Sequence, residues 1–503
     1  MKTRNLVGFA AAILSLVAAL TSLPAADKDS GVNAAAMAAA RQVWTITDLV
    51  LEQDIDPPAR QQMLLQGVKA LLRQNKGKTS ANLAERVSSV TTSEQFAALL
   101  AEIWPHEEDR RDAGPTDRRG AGPTDQREHI LYNGLLAWQT ENPDRAFYLS
   151  PQEAKRYEMI AGNRYVGTGI QIRKNDKEKL TQIVIPFPGG PARKAGARPG
   201  DLIVEVDGKS MEGVSLLKVV ERLQGEEGTR VSMTVRQPGE TATRLLPMVR
   251  SVIPFTSVHG YRRTGEESWS FSVDSSSAIR YLSIDEIKIS TLLELRKIEP
   301  LLRSDGVKAL VLDLRFTRGD DLRHAALVAD GLIDGGVLWR VRDNQGRIKE
   351  YKADRDCLFR DVPIVVLAGE YTGSMAAIVA AALQDHGRAI VVGDVPKPEL
   401  MVTGLVQLPE ERGAMLLRTG RVERIERPAA TEQQRLAAAE HRLLPDHVVA
   451  IGRKEYIAVE EWMRQQESPE PKADAKPSSD PQLEKAIALL RESLEKSEKK
   501  DDK

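Results

Sequence analysis

A short apolar strand, a sharp turn, an alanine-rich helix and a second apolar strand follow one another between Ile364 and Val392. No other stretch limits the fold as tightly. Ile364–Leu367 and Ala389–Val392 are continuous apolar runs, the pattern of buried strands. Gly369, Tyr371, Thr372 and Gly373 break the first run. The spacing then predicts a helix from about Ser374 to His386, with Gly387 placed to cap its C-terminus. From Gly393 to Gln407 the reading continues as a long loop. Ser374 therefore stands where a strand hands over to a helix. A hydroxyl there can face solvent while backbone N–H groups at the helix start point at the same spot, which suits a nucleophile beside an oxyanion site. A Ser after a turn is also the commonest helix N-cap, and position alone leaves both roles open.

The same alternation extends upstream. Ile279–Ile284 and Ala309–Leu314 read as strands, Thr291–Leu302 and Leu322–Leu332 as helices, and Gly335, Gly336 and Val337 open a further strand. Residues 251–453 thus form an α/β core with a mixed sheet. At 503 residues the chain has room for about three domains. A net charge of −1 gives no electrostatic case for nucleic acid. Cys357 is the only cysteine, so no intrachain disulfide can form. The seven histidines show no metal-ligand spacing, and neither a metal nor another cofactor is expected.

Residues 1–26 have the make-up of a secretory signal peptide: Lys2 and Arg4, an apolar Leu6–Leu20, then Pro24, Ala25 and Ala26 before Asp27. The mature chain is expected to be exported, to a bacterial periplasm or cell envelope, with an uncleaved anchor as the other possibility. Residues 27–163 read as a helical region. Residues 27–40 are Ala-rich and loose, Trp44–Leu51, Met63–Leu72 and Ser93–Trp104 are helices, and an exposed insertion with an echoed AGPTD covers about 105–128. Helix returns near Ile130–Trp138. Ser150, Pro151 and Glu153 form a capping-box helix start. Residues 454–503 carry a helix within Asp480–Leu494 and a disordered charged tail.

Residues 164–250 resemble a PDZ domain. The carriers are YVGTGIQI, from Tyr165 to Ile172, and GGPARKAGARPGDLIVEVDGKSMEG, from Gly189 to Gly213. The resemblance implies a carboxylate-binding loop in the first segment, where glycines let backbone N–H groups turn toward a peptide's C-terminus. A tail would add as a strand along Tyr165, Val166, Gly167, Thr168, Gly169, Ile170 and Ile172. Its apolar side chains would meet Leu216, Leu217, Val220 and Leu223 on a helix capped by Ser215.

The run S-x-A-x-I-x-A-x-A-L-Q-D-H-x-R-A-x-x-V-G-D, from Ser374 to Asp394, resembles the signature of C-terminal processing peptidases, also called tail-specific proteases. Aligned on Ile378, Leu383, Gln384 and Asp385, Ser374 falls on that family's catalytic serine. Asp385 then belongs to the signature, with a supporting role or that of an acceptor for neighbouring loops. The family pairs its serine with a lysine, and a neutral lysine in a dry pocket can take the hydroxyl proton. The lysine position holds Thr403 when counted from Gln407 and Glu399 when counted from Gly393. The only lysine between Ala353 and Arg453 is Lys397, 23 residues after Ser374, a candidate displaced base. His386 is 12 residues along the same helix from Ser374, roughly 18 Å away, and cannot serve. Leu312–Asp320 resembles L-D-L-R-x-N-x-G-G, which implies a backbone N–H of Gly319, beside that of Met375, for an oxyanion. Asp320 replaces the second glycine and would set a carboxylate near that charge.

Two functions follow. One is an exported serine endopeptidase that reads exposed C-terminal tails of proteins and peptides through its PDZ domain, in association with the envelope. The other is a catalytically degenerate PDZ scaffold of the same fold.

Overall fold

The computed structural model describes residues 34–74, 82–103, 123–137, 146–161, 166–187, 189–253, 256–265, 268–273, 278–319, 321–354, 356–427, 430–466 and 479–501. The expected signal (1–26), Tyr165 and Asp320 lie outside these residues, as does most of the expected insertion. Among the described residues, no helix is long and apolar enough to cross a membrane.

The α/β core is built on a six-stranded sheet. Its order is Val258–His259, Ile279–Ile284, Ala309–Asp313, Ile364–Ala368, Ala389–Gly393 and His447–Val448. The first pairing is antiparallel and the other four are parallel. Strand alternation sends Leu310, Leu312, Ile364, Val366 and Val391 to one face, under the helices Thr291–Ser304, Leu322–Asp330 and Ser374–Asp385. Val311, Val365, Leu367 and Val392 go to the other face. That face is covered by Trp462 of a bracing helix, Arg453–Gln466, and by Leu483, Ala486 and Leu490 of a terminal helix, Pro481–Asp501. Both faces are buried, which is why these strands read as unbroken apolar runs. Every residue of Ser374–Asp385 is buried, so that helix is apolar all round rather than striped.

A second sheet joins Phe147–Leu149, Ala414–Glu423, Gly336–Arg342 and Ile348–Ala353, with Met401–Gln407 paired to Ala414–Glu423. The expected long loop to Gln407 is thereby corrected. It ends at Leu400, and Thr403 sits in a strand, opposite Arg418. The N-terminal helices pack on this sheet through Leu408, Met415 and Leu417. The helix Ala34–Gln53 begins inside the stretch expected to be loose, because Ala36, Ala39 and Ala40 bury a small-residue face. Alanine also has the highest helix propensity. The helix Pro123–Leu135 likewise starts within the span assigned to the insertion. Ser150 and Glu153 form the expected reciprocal cap: the Ser150 N–H donates to Glu153 (2.9 Å), and the Glu153 N–H to the Ser150 hydroxyl (3.4 Å).

The PDZ region closes a sheet of Ile170–Asn175, Leu180–Pro186, Leu202–Val206, Arg230–Arg236 and Arg244–Val249, with Lys209–Ser210 paired to the third strand. Ile170–Asn175 is the edge strand, as peptide addition requires.

Candidate active site

The two loops of interest leave neighbouring parallel strands at the same end. Ala309–Asp313 and Ile364–Ala368 pair in parallel, with Leu312 opposite Val366 and Asp313 opposite Leu367. The loops that follow, Leu314–Gly319 and Gly369–Gly373, therefore emerge side by side at the carboxyl ends of the strands, where open α/β sheets bind ligands. They are tied together. The Gly373 N–H donates to the Thr317 carbonyl (2.9 Å), and the Thr372 hydroxyl to the Leu314 carbonyl (2.9 Å). The Gly369 N–H in turn donates to the Thr372 hydroxyl (2.8 Å).

Ser374 is the first residue of the helix, and the N-cap is Gly373. The cap position is therefore held by Gly373 and not by Ser374. The residue is 6% exposed. Gly319 lies across from it: a Cβ built on Gly319 would stand 3.3 Å from the Met375 Cβ. The candidate oxyanion residues Gly319 and Met375 are thus in contact, beside the serine. Gly393, opposite Ala368 on the next strand, takes φ +137°. Any side chain there would meet the Ala368 carbonyl oxygen at 1.9 Å.

Lys397 is placed differently from what a base needs. Its ammonium is ion-paired to Glu370, faces the Tyr371 ring at 5.8 Å, and is 59% exposed. The hydrogen bond to Glu370 holds its pKa above the ordinary lysine value. A lysine in that state is charged at neutral pH and has no lone pair to accept a proton. Neither Thr403 nor Glu399 supplies an amine.

Asp385, at the far end of the helix, is an anchor. Arg424 grips it with two bonds, of 2.5 and 3.0 Å, and also donates to the Gln384 side chain (2.7 Å) and the Arg442 carbonyl (3.1 Å). Burial pushes the Asp385 carboxyl up, against the pull of Arg424. Of the two roles left open for Asp385, the geometry matches the acceptor.

Several residues that shape the site carried no sequence signal beyond the resemblance. Arg315 is fully buried. It donates to Asp313 (2.6 Å) and, through two bonds of 2.9 Å, to Asp480 at the start of the terminal helix. Tyr281 donates to Asp313 (2.7 Å). Burial would lower the Arg315 pKa, but Asp313 and Asp480 outweigh it and hold it well above its usual value. Asp480 also caps the terminal helix by accepting from the Leu483 N–H (3.1 Å). Asp480-Pro481 was the available clue, a cap residue followed by Pro at the first helical position. Asp446 accepts from the Val391 N–H (2.8 Å), Gln384 (3.1 Å), Arg427 (2.6 Å) and Gln434 (2.9 Å). Tyr456 of the bracing helix packs edge-on against Phe316 (5.1 Å) and Tyr371 (4.9 Å), one ring from each loop.

In the PDZ region, Gly169 takes φ +72°, a left-handed conformation that favours glycine. The Ala192 N–H donates to the Thr168 carbonyl (2.8 Å) and the Phe187 N–H to the Gly169 carbonyl (2.9 Å), fixing the loop from behind. Ile172, Leu216 and Val220 are half-buried, at the edge strand and its helix. Leu223 belongs to the domain core at 2% exposure, so its place as groove lining is corrected. The helix period turns Val219 and Leu223 inward together.

Comparison with known proteins bears on the fold and the family. Residues 278–435 match the model of Peptidase family S41, and residues 187–237 match that of a PDZ domain. The chain is 27% identical over 301 residues to a carboxyl-terminal-processing protease of Picosynechococcus sp., covering 60% of this chain and 68% of that protein. It is 28% identical over 295 residues to a chloroplastic C-terminal processing peptidase of Tetradesmus obliquus, covering 58% and 63%. To the carboxy-terminal processing protease CtpA of Bacillus subtilis it is 30% identical over 250 residues, covering 49% and 50%. The matches thus span from half to about two thirds of these relatives. With a PDZ region ahead of an α/β core that carries the match to Peptidase family S41, the chain is similar to C-terminal processing peptidases.

Proposed function

We propose that this chain is an exported serine endopeptidase that takes the free C-terminal tail of a polypeptide into the PDZ groove and cleaves the polypeptide at Ser374. The observation that carries the reading is the placement of Ser374: buried, at the first helical position rather than at the N-cap, and next to Met375, whose Cβ faces Gly319. In this reading the Ser374 hydroxyl attacks the scissile carbonyl, and N–H groups of Gly319 and Met375 receive the negative oxygen. The proton goes to a neutral amine, and Lys397 is the candidate. To act, Lys397 exchanges Glu370 for the serine and loses its proton, so activity rises with pH. Export rests on the charged, apolar and small-residue order of residues 1–26.

A second reading, a peptide-binding scaffold without catalysis, is favoured by one observation: Lys397 is solvent-exposed and paired. Cleavage of an unfolded protein with a free C-terminus, against the same protein amidated, separates the two. The peptidase reading expects Ser374→Ala to remove at least about a thousandfold of the rate. Lys397→Ala should match it, and amidation should weaken binding to wild type. Retention of the free-tail preference with no Ser374-dependent cleavage at any pH leaves the scaffold.

A further inference from the structure

A cleft of about 700 Å³ runs from the PDZ edge strand at Gln171 to Phe316, Arg318 and Tyr371 on the two loops of the candidate site. Arg318 is the residue before Gly319, and its backbone is held on three sides. Its N–H donates to the Asp285 carbonyl (2.9 Å), its carbonyl accepts from the Ile287 N–H (2.7 Å), and its Cα stands 3.5 Å from where a side chain on Gly373 would begin. Its side chain, by contrast, is exposed.

Among the described residues, four carboxylates near Arg318 in the fold or along the chain have partners of their own. Asp285 lies 3.0 Å from the His259 imidazole, which stacks on Trp269 (4.9 Å) in the same cleft. Glu286 pairs with Lys288 (3.1 Å), Glu370 with Lys397, and Asp321 with Arg323 (2.5 Å). Among the described residues, Arg318 makes no ion pair. An exposed guanidinium on a firmly held backbone, next to the candidate oxyanion glycine and in a cleft lined by aromatic rings, matches a ligand that brings its own carboxylate.

We infer that Arg318 is a specificity-determining residue that selects substrates with an acidic side chain close to the scissile bond. The inference deepens the peptidase reading, since it names the charge of the chain segment lying between the PDZ groove and Ser374. The tail's own carboxylate is held at the PDZ loop, so the side chain read by Arg318 is a second acidic group, upstream of the terminus. Opposite charges in such a cleft select partners chiefly by excluding like charge.

The test uses the full chain and peptides with one common free apolar C-terminus, in which a single Glu or Lys is walked along the sequence ahead of the tail. At one position or two adjacent ones, wild type should prefer Glu over Lys by about tenfold in kcat/KM, and the ratio should shrink with added salt. Arg318→Gln should erase the preference and Arg318→Glu should reverse it. An unchanged Glu-to-Lys profile in Arg318→Glu overturns the inference. Dissociation constants of the same peptides are measured in parallel. Reversal in binding without any cleavage keeps Arg318 as the selecting residue and removes the peptidase reading, whereas an unchanged profile in both measurements overturns the inference alone.

Discussion

Two ion-paired regions flank the loops around Ser374, one beneath them and one at their rim. Beneath, Arg315, Asp313 and Asp480 have side chains 0%, 0% and 5% exposed. At the rim, Lys397 and Glu370 are 59% and 37% exposed. Both are oppositely charged pairs next to the same backbone, yet burial gives them different tasks. The buried cluster cannot be re-solvated when a partner is lost, so it fixes where the strand Ala309–Asp313 ends and where Thr317–Gly319 begins. The rim pair can exchange water for its partner at little cost and can therefore move. The buried charges set geometry, and the exposed pair is free to exchange partners with water.

The largest break in this comparison is expected from the buried side. Asp480→Ala leaves Arg315 with one carboxylate fewer in a site closed to water and removes the cap of the terminal helix. It should cost about 3–5 kcal/mol in denaturant unfolding of the full chain. A loss under about 1 kcal/mol would show that the cluster is solvated and that depth does not separate the two regions.

Asp446 lies between the extremes, 14% exposed beside an Arg427 that is 18% exposed. Burial alone would raise its pKa. The Val391 N–H, Arg427, Gln384 and Gln434 outweigh that and hold it below the usual 3.8. A carboxyl depressed in the folded state contributes stability above its unfolded pKa and loses it as pH falls through the folded value. Asp446→Asn should therefore cost about 1–2 kcal/mol at neutral pH, discounted for its partial exposure. The gap from wild type should close below about pH 4 in acid unfolding. A gap that persists unchanged into acid would point to packing rather than charge.

The smallest effect on stability belongs to the rim. Glu370→Gln should leave the unfolding midpoint unmoved. It should lower the Lys397 pKa toward the ordinary value, because the bond to Glu370 is what raises it. If Lys397 is the base, the rising limb of cleavage against pH shifts to lower pH in this variant. A limb that stays in place assigns the proton to another group.

The regular elements of the core were legible because each lies in an unbroken apolar run or a clean period. Ile279–Ile284 forms over the residues that its pattern indicates, and Ala309–Asp313, Ile364–Ala368 and Ser374–Asp385 differ from expectation by one residue at an end. Met401–Gln407 was not legible. Glycine and threonine in its middle mask a strand that exists only because Ala414–Glu423 lies alongside. Ala34–Ala40 misled through composition, since alanine reads as neutral until a partner surface buries it.

The sequence by itself determined the strand–turn–helix that carries Ser374, the glycine pattern of the PDZ loop and the capping box at Ser150, because each depends on residues within a few positions of one another. Only the tertiary structure decided that Gly319 meets Met375, that Arg315 finds Asp480, that Leu223 turns inward, and that Lys397 rests on Glu370 while Arg318 is left facing the cleft. Those outcomes depend on which strands become parallel neighbours and on how deeply each charge is buried. Neither is encoded in spacing along the chain.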